Sequence, residues 1–232
     1  MTPQALNKKR EKQIDALVQE FLAHRDFFSR LETGLISMAQ SAVLAPYVHS
    51  VKSRIKEPEH LRDKLRRKMR SSIEDGSEFG ITKDNLFSEI NDLAGIRILH
   101  LHTRQFENIH LHLMSLLDDG MYNVNEVFAR TWDDESRQYF ESVGVPTQAS
   151  GETMYTSVHY VIQPNTRTPR TAEIQVRTLA EELWGEVNHS INYPHPSSLM
   201  SCREQIKVLA RVTSSCSRLV DSIFMTNSDS AS

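Results

Sequence analysis

Apolar positions along the chain change period several times, and each change marks a predicted element. Leu6, Ile14, Leu17, Val18, Phe21, Leu22 and Phe28 recur at helical spacing. Leu31, Leu35, Ile36, Met38, Ala39 and Val43 carry the pattern on to Pro46, so residues 4–46 predict one or two helices. Residues 47–56 set Val48, Val51 and Ile55 among polar side chains in an extended segment closed by Pro58. Residues 58–75 predict a helix with proline near its start and Gly76 beyond its end. A loop over 76–80 and a short helix over 84–90 lead to residues 93–101, apolar enough for a strand buried on both faces. An amphipathic helix follows at 104–118 and a strand at 122–130. Residues 132–152 are polar, contain Gly144, Pro146 and Gly151, and predict a long loop with a helical turn near Tyr139.

Two alternating segments, 154–163 and 171–178, flank a polar turn at 164–169 and predict a hairpin. A helix over 178–193 ends at Pro194 and Pro196. A last amphipathic helix spans 198–224, and 226–232 form a frayed polar tail. The expected organisation is an N-terminal helical region (1–46), a mixed core (47–196), a C-terminal helix (197–225) and a disordered tail (226–232).

Bulk composition narrows the class without naming a chemistry. The 232 residues are 39% hydrophobic and 25% charged, as in an ordinary globular protein. A formal net charge of -3 gives no global attraction to nucleic acid or membrane, so any basic site is local. The N-terminus has no apolar run after its charges, and no stretch reaches membrane-span length, which predicts a soluble cytoplasmic protein. Cys202 and Cys216 both fall in the last helix and read as reduced core cysteines. His100, His102, His110 and His112 lack metal-ligand spacing and read as surface or packing residues.

Chemistry enters where polar residues sit on strands. In residues 171–178, Glu173, Gln175 and Arg177 share one face, and Ile174 and Val176 the other. That face is either a solvated sheet surface or the floor of a site handling phosphate and metal. Asp92 stands at the entrance of the 93–101 strand and Arg97 lies inside it, where a guanidinium needs an anionic partner. Gly95 removes a side chain where something approaches closely. Nine cations fall between Lys52 and Arg70, with Arg54 and Lys56 on an extended arm feeding the basic helix. Converging cations suit a polyphosphate, and RNA binding would use them too. Tyr155, Ser157 and His159 line one strand face, an aromatic and an imidazole placed to stack a base and contact its sugar or phosphate.

Four blocks of this chain resemble the RelA/SpoT-type alarmone synthetase domain. They are Val51-Lys-Ser-Arg-Ile-Lys with Lys64 downstream, Asn91-Asp-Leu-Ala-Gly-Ile-Arg97, Tyr155-Thr-Ser-Val-His159, and Glu173-Ile-Gln-Val-Arg-Thr178 followed by Trp184, His189 and Tyr193. The resemblance runs from Val51 to Tyr193. It implies an α+β fold, a nucleotidyltransferase-like mixed sheet of about five strands flanked by helices. It also implies a small single-domain synthetase, with no hydrolase domain ahead and no regulatory region behind. The implied reaction moves the β,γ-diphosphate of ATP to the ribose 3′-hydroxyl of GTP or GDP, releasing AMP. By this likeness Asp92 and Glu173 hold Mg²⁺, and Glu173 accepts the hydroxyl proton. Arg54, Lys56, Lys64 and Arg97 bind donor ATP, with Arg104 as a second adenine-stacking arginine. Tyr155 stacks the acceptor base, His159 contacts its phosphates, and Gln175 and Arg177 order the acceptor side.

The chain departs from the family pattern on the acceptor side. Ahead of the tyrosine the family usually carries Asn-Gly, with a lysine slightly upstream. Here the run is Gly151-Glu152-Thr153-Met154, which lacks the amide and adds an anion. His60 replaces a small hydroxyl residue common in the first block. Two other readings therefore stay open: a toxic relative that modifies the 3′ end of tRNA or an adenosine nucleotide, and a silent nucleotide- or RNA-binding module. The final helix can pack on its own domain or in a homo-oligomer, and an antitoxin partner is left open.

Overall fold

Periodicity translates directly into the elements that form. A computed structural model describes residues 6–119, 121–151, 153–193 and 197–229. Glu152, Pro194, Pro196 and the end of the polar tail lie outside the described residues. In chain order the elements are α1 (Lys8–Ala23), α2 (Arg25–Ala39), β1 (Ser50–Ile55), α3 (Pro58–Glu74), α4 (Leu86–Glu89) and β2 (Ala94–His100). Then come α5 (Gln105–Asp118), β3 (Tyr122–Thr131), α6 (Asp134–Ser142) and β4 (Thr147–Ala149). The chain closes with β5 (Ser157–Pro164), β6 (Ala172–Thr178), α7 (Leu179–Asn192) and α8 (Met200–Asp229).

The strands form one mixed sheet in the order β1-β2-β6-β5-β3-β4. At its centre β2 runs parallel to β6, and β5 and β6 form the antiparallel hairpin that their alternation predicts. One sheet face carries Ile96, Ile98, Tyr160, Ile162, Ile174 and Val176 into a core shared with α1, α2, α3 and α5. The N-terminal helices thus have no core of their own. On α3 the buried residues Leu61, Leu65 and Met69 follow a four-residue step, and the basic residues occupy the remaining positions. Each such burial stabilises the fold by roughly 1.5–3 kcal/mol.

The opposite sheet face is polar, and α7 lies across part of it. Thr178 starts that helix with a capping box in which its hydroxyl accepts from the Glu181 amide. Pro58 at the first position starts α3 in the same spirit, because its missing N–H costs nothing there. A smaller cluster of Trp184, Ile206 and Ala210 joins α7 to α8, and the Trp184 Nε1–H donates to the Ile206 carbonyl at 3.0 Å.

Several expectations change. The sheet has six strands, in line with the expected five or so, but the stretch predicted as a loop forms α6 (Asp134–Ser142) and the short strand β4 (Thr147–Ala149). The few apolar residues there, Phe140 and Val145, are buried, enough to anchor a nine-residue helix whose other faces are solvated. Strand β2 is buried on both faces only in its last residues: Gly95 and Arg97 open onto the polar side. Cys216 is exposed on α8 rather than in the core. That helix also continues past Phe224 to Asp229. The histidines take packing positions: His110 bonds the Tyr160 hydroxyl at 2.8 Å, and His112 stacks on Tyr47. No helix among the described residues is long and apolar enough to cross a membrane.

Candidate active site

Strand register lays the polar side chains out in two rows across the sheet. The first runs Arg54, Gly95, Glu173, Val161, Glu126 through β1, β2, β6, β5 and β3. The second runs Lys52, Arg97, Gln175, His159, Phe128 through the same strands. Gly95 is what permits the β2–β6 contact beside Glu173. A Cβ there would stand 2.5 Å from the Glu173 carbonyl oxygen, a backbone atom with nowhere to go.

Asp92 enters from the turn ahead of β2. Lys56 donates to its Oδ2 at 2.6 Å and Lys64 to its Oδ1 at 2.8 Å, while an Arg54 nitrogen lies 4.0 Å away. Burial opposes its charge, but Lys56 and Lys64 outweigh that and hold the carboxyl well below the usual range. Lys56 is itself buried, and burial lowers its pKa against the pull of Asp92.

Glu173 is held differently. His159 Nδ1 lies 2.7 Å from its Oε1, and Gln175 donates to its Oε2 at 2.8 Å. Burial opposes ionisation here too, yet the His159 contact prevails and the carboxyl sits below its ordinary pKa, with the charge of Asp92 pushing the other way. The His159 ring lies flat against Phe128, centroids 5.0 Å apart and planes 3° from parallel. Its Nε2 is buried without a hydrogen-bond partner among the described residues.

Two cavities meet on these carboxylates. One, of about 260 Å³, is lined by Lys52, Arg54, Arg97, Glu186 and His189. The other, of about 500 Å³, is lined by Lys64, Lys68, Phe128, Arg130, Tyr155 and His159. Asp92, Glu173 and Gln175 line both. A two-substrate transfer needs this arrangement: separate compartments for donor and acceptor, with the anionic pair where they touch.

The cations expected to converge do so only in part. Arg97 donates to Glu186 at 2.8 Å and Glu182 at 3.2 Å on α7, which supplies the anionic partner its position demands. Lys52 also reaches Glu182, at 2.7 Å. On α3, Arg66 bonds Glu11 at 2.9 Å and Arg62 pairs with Asp15, so two of the basic helix's charges tie down α1.

Three of the expected site residues sit in settings the short blocks did not describe. Arg104 lies beyond the far end of β2, in a groove with Glu107, Asp133 and Asp221. The length of β2, roughly 23 Å at 3.3 Å per residue, separates it from Asp92. Arg177 is buried beneath α7, paired with Glu182 and set 5.6 Å from the Tyr155 ring, so it backs the tyrosine and does not line either cavity. Gly185 makes room for that guanidinium: a Cβ there would meet Arg177 Nη1 at 2.9 Å. His159 spends its Nδ1 on Glu173. Tyr155 is half-buried against Trp184, with its hydroxyl 3.4 Å from Gln175 Oε1. Sequence reasoning passed over Glu126, Phe128, Arg130 and Gln148. Only the alternation of Glu126, Phe128 and Arg130 on β3 marked them, and alternation does not say which face meets the site.

A sequence model described as the region found in RelA / SpoT proteins matches residues 53–198, more than half of the chain. The GTP pyrophosphokinase YwaC of Bacillus subtilis (strain 168) is 30% identical over 183 residues, 75% of this chain and 73% of that protein. The fold is similar to that of a GTP pyrophosphokinase family protein from Streptococcus pneumoniae (TM-score 0.63, 18% identity, 97% of each chain). It is also similar to that of the small alarmone synthetase 1 from Bacillus subtilis bound to its product pppGpp (TM-score 0.59, 21% identity, 89% of this chain and 93% of that one). With its paired carboxylates at the meeting of two cavities, the chain belongs to the RelA/SpoT family of pyrophosphotransferases.

Proposed function

We propose that the protein transfers the β,γ-diphosphate of ATP to the ribose 3′-hydroxyl of GTP or GDP, releasing AMP. The observation that carries this reading is the pair Asp92 and Glu173, both held ionised and both lining the two cavities. In this reading Arg54 and Arg97 face the donor's adenine and triphosphate from the β1–β2 side. Lys64, and Lys56 behind it, supply positive charge at the transferring group. Tyr155 stacks the acceptor base, and Gln175 steadies both Glu173 and Tyr155. Glu173, ionised and fixed by His159, accepts the proton of the 3′-hydroxyl as the new P–O bond forms and the bond to the AMP phosphate breaks.

Asp92 and Glu173 supply hard oxygens of the kind Mg²⁺ takes, an ion that binds one or two carboxylates and completes its shell with water and phosphate. They would hold it in exchange for their contacts with Lys56, Lys64, His159 and Gln175. When bound, the ion would neutralise charge on the phosphates.

Incubation with β,γ-labelled ATP, Mg²⁺ and, separately, GTP, GDP, ADP or deacylated tRNA tests the reading. Label moves to a guanosine nucleotide, and Glu173→Ala abolishes it. Label on tRNA or an adenosine nucleotide alone would reassign the acceptor, and no transfer at all would leave a binding module.

A further inference from the structure

The acceptor-side cavity is floored by β3 and β4 as well as β5, and these strands carry a residue no family block contains. Glu126, Phe128 and Arg130 share the sheet face of His159 and Glu173, because Phe128 pairs with His159 and stacks on its ring. Arg130 extends that face toward Tyr155. Across β5 it pairs with Ser157, two residues past the tyrosine, and on β4 it pairs with Gln148. Its guanidinium lies over the Phe128 ring, 5.4 Å from the centroid, which lays the side chain along the cavity floor. It is exposed, and it pairs with no carboxylate among the described residues, unlike Arg62, Arg66 and Arg97. Arg130, Gln148 and Tyr155 line one cavity.

In the reading proposed above, a purine stacked on Tyr155 would present its edge to that floor. Guanine offers two adjacent acceptors, O6 and N7, which match the guanidinium fork. Adenine sets an N6 amino donor beside N7, and a guanidinium has no acceptor for it. We propose that Arg130 reads the acceptor base by a bidentate contact to O6 and N7 of guanine, taking over from the amide this chain lacks ahead of Tyr155. The assignment rests on the functional reading above and supplies a source for guanosine selectivity that the family blocks do not.

The test compares GTP with 7-deaza-GTP, which lacks the N7 acceptor, in the wild-type protein, Arg130→Gln and Arg130→Lys, with labelled ATP as donor. In the wild type, acceptor KM is about tenfold higher for the deaza analogue. In Arg130→Gln, acceptor KM for GTP rises about tenfold to a hundredfold, and the difference between the two acceptors disappears. Arg130→Lys, whose ammonium can also bridge O6 and N7, keeps part of the discrimination. Wild-type-like discrimination in Arg130→Gln overturns the base contact and leaves Arg130 a general phosphate charge or a bystander. A wild-type protein that labels no guanosine nucleotide overturns the functional reading and this assignment together.

Discussion

The two halves of the cleft are built on opposite plans. The half on β1, β2 and α7 is saturated with ion pairs of its own: Arg97 and Lys52 rest on Glu182 and Glu186, and Lys56 rests on Asp92, which Lys64 of α3 reaches from the other cavity. The half on β5, β3 and β4 is built on ring stacking, with Phe128 on His159, Tyr155 near His159, and Arg130 over Phe128. A polyphosphate entering the first half competes with resident carboxylates for cations already aimed at it, so those cations are held in place before the ligand arrives. A base entering the second half finds an aromatic floor and an unpaired guanidinium. Charge preorganises one side, and shape and stacking the other.

Asp92→Asn breaks the contrast at its hinge, where the largest effect is expected. The amide keeps the volume and one acceptor oxygen, so folding survives, but the charge that gathers Lys56, Lys64 and Arg54 is gone. A loss of about 10³-fold in kcat is expected, with donor KM rising as the cations spread. Steady-state kinetics beside a thermal unfolding curve read this out. A fully folded variant with near-normal kcat would remove Asp92 from the reacting centre.

A second substitution pair sharpens the acceptor half. If His159 acts through Nδ1 on Glu173, asparagine, whose amide nitrogen lies close to the Nδ1 position, restores part of what glutamine cannot. His159→Gln is expected to lose about 10²-fold in kcat and His159→Asn about tenfold, with acceptor KM changing little in either. The reverse order, with the change in acceptor KM, would return His159 to the phosphate-contact role that the family resemblance implies.

What the sequence disclosed follows the same division. Local periodicity exposed the β5–β6 hairpin and the long helices, and short blocks exposed Asp92, Glu173, Arg54 and Lys64, because each block keeps its chemistry within a few residues. The β3–β4 contribution was hidden for a physical reason. Arg130 and Gln148 reach the cavity only through register with β5, and β4 is three residues long inside a polar stretch whose only strong apolar anchors are Phe140 and Val145. The setting of Arg177 was hidden in a related way, although its place behind Tyr155 suits the expected acceptor-side support. Arg177 shares the polar face of Glu173, but burial under α7 depends on Gly185 and Glu182, and strand alternation carries no sign of either.

Arg104 gives the smallest effect and the cleanest check on the donor half. The family likeness casts it as an adenine-stacking arginine, whereas the fold sets it beyond the far end of β2, where its backbone N–H donates to Asp221 on α8 at 3.1 Å. If, as proposed, Arg54 and Arg97 frame the adenine site, Arg104→Ala leaves donor KM within about twofold, while Arg97→Ala raises it about tenfold or more. Both substitutions remove one positive charge, so the change in net charge is the same in each and cannot by itself produce a difference between them. A donor KM that rises as far in Arg104→Ala as in Arg97→Ala would mean that α5 swings toward the cleft when ATP binds, and the preorganised half would then be only partly assembled before its ligand arrives.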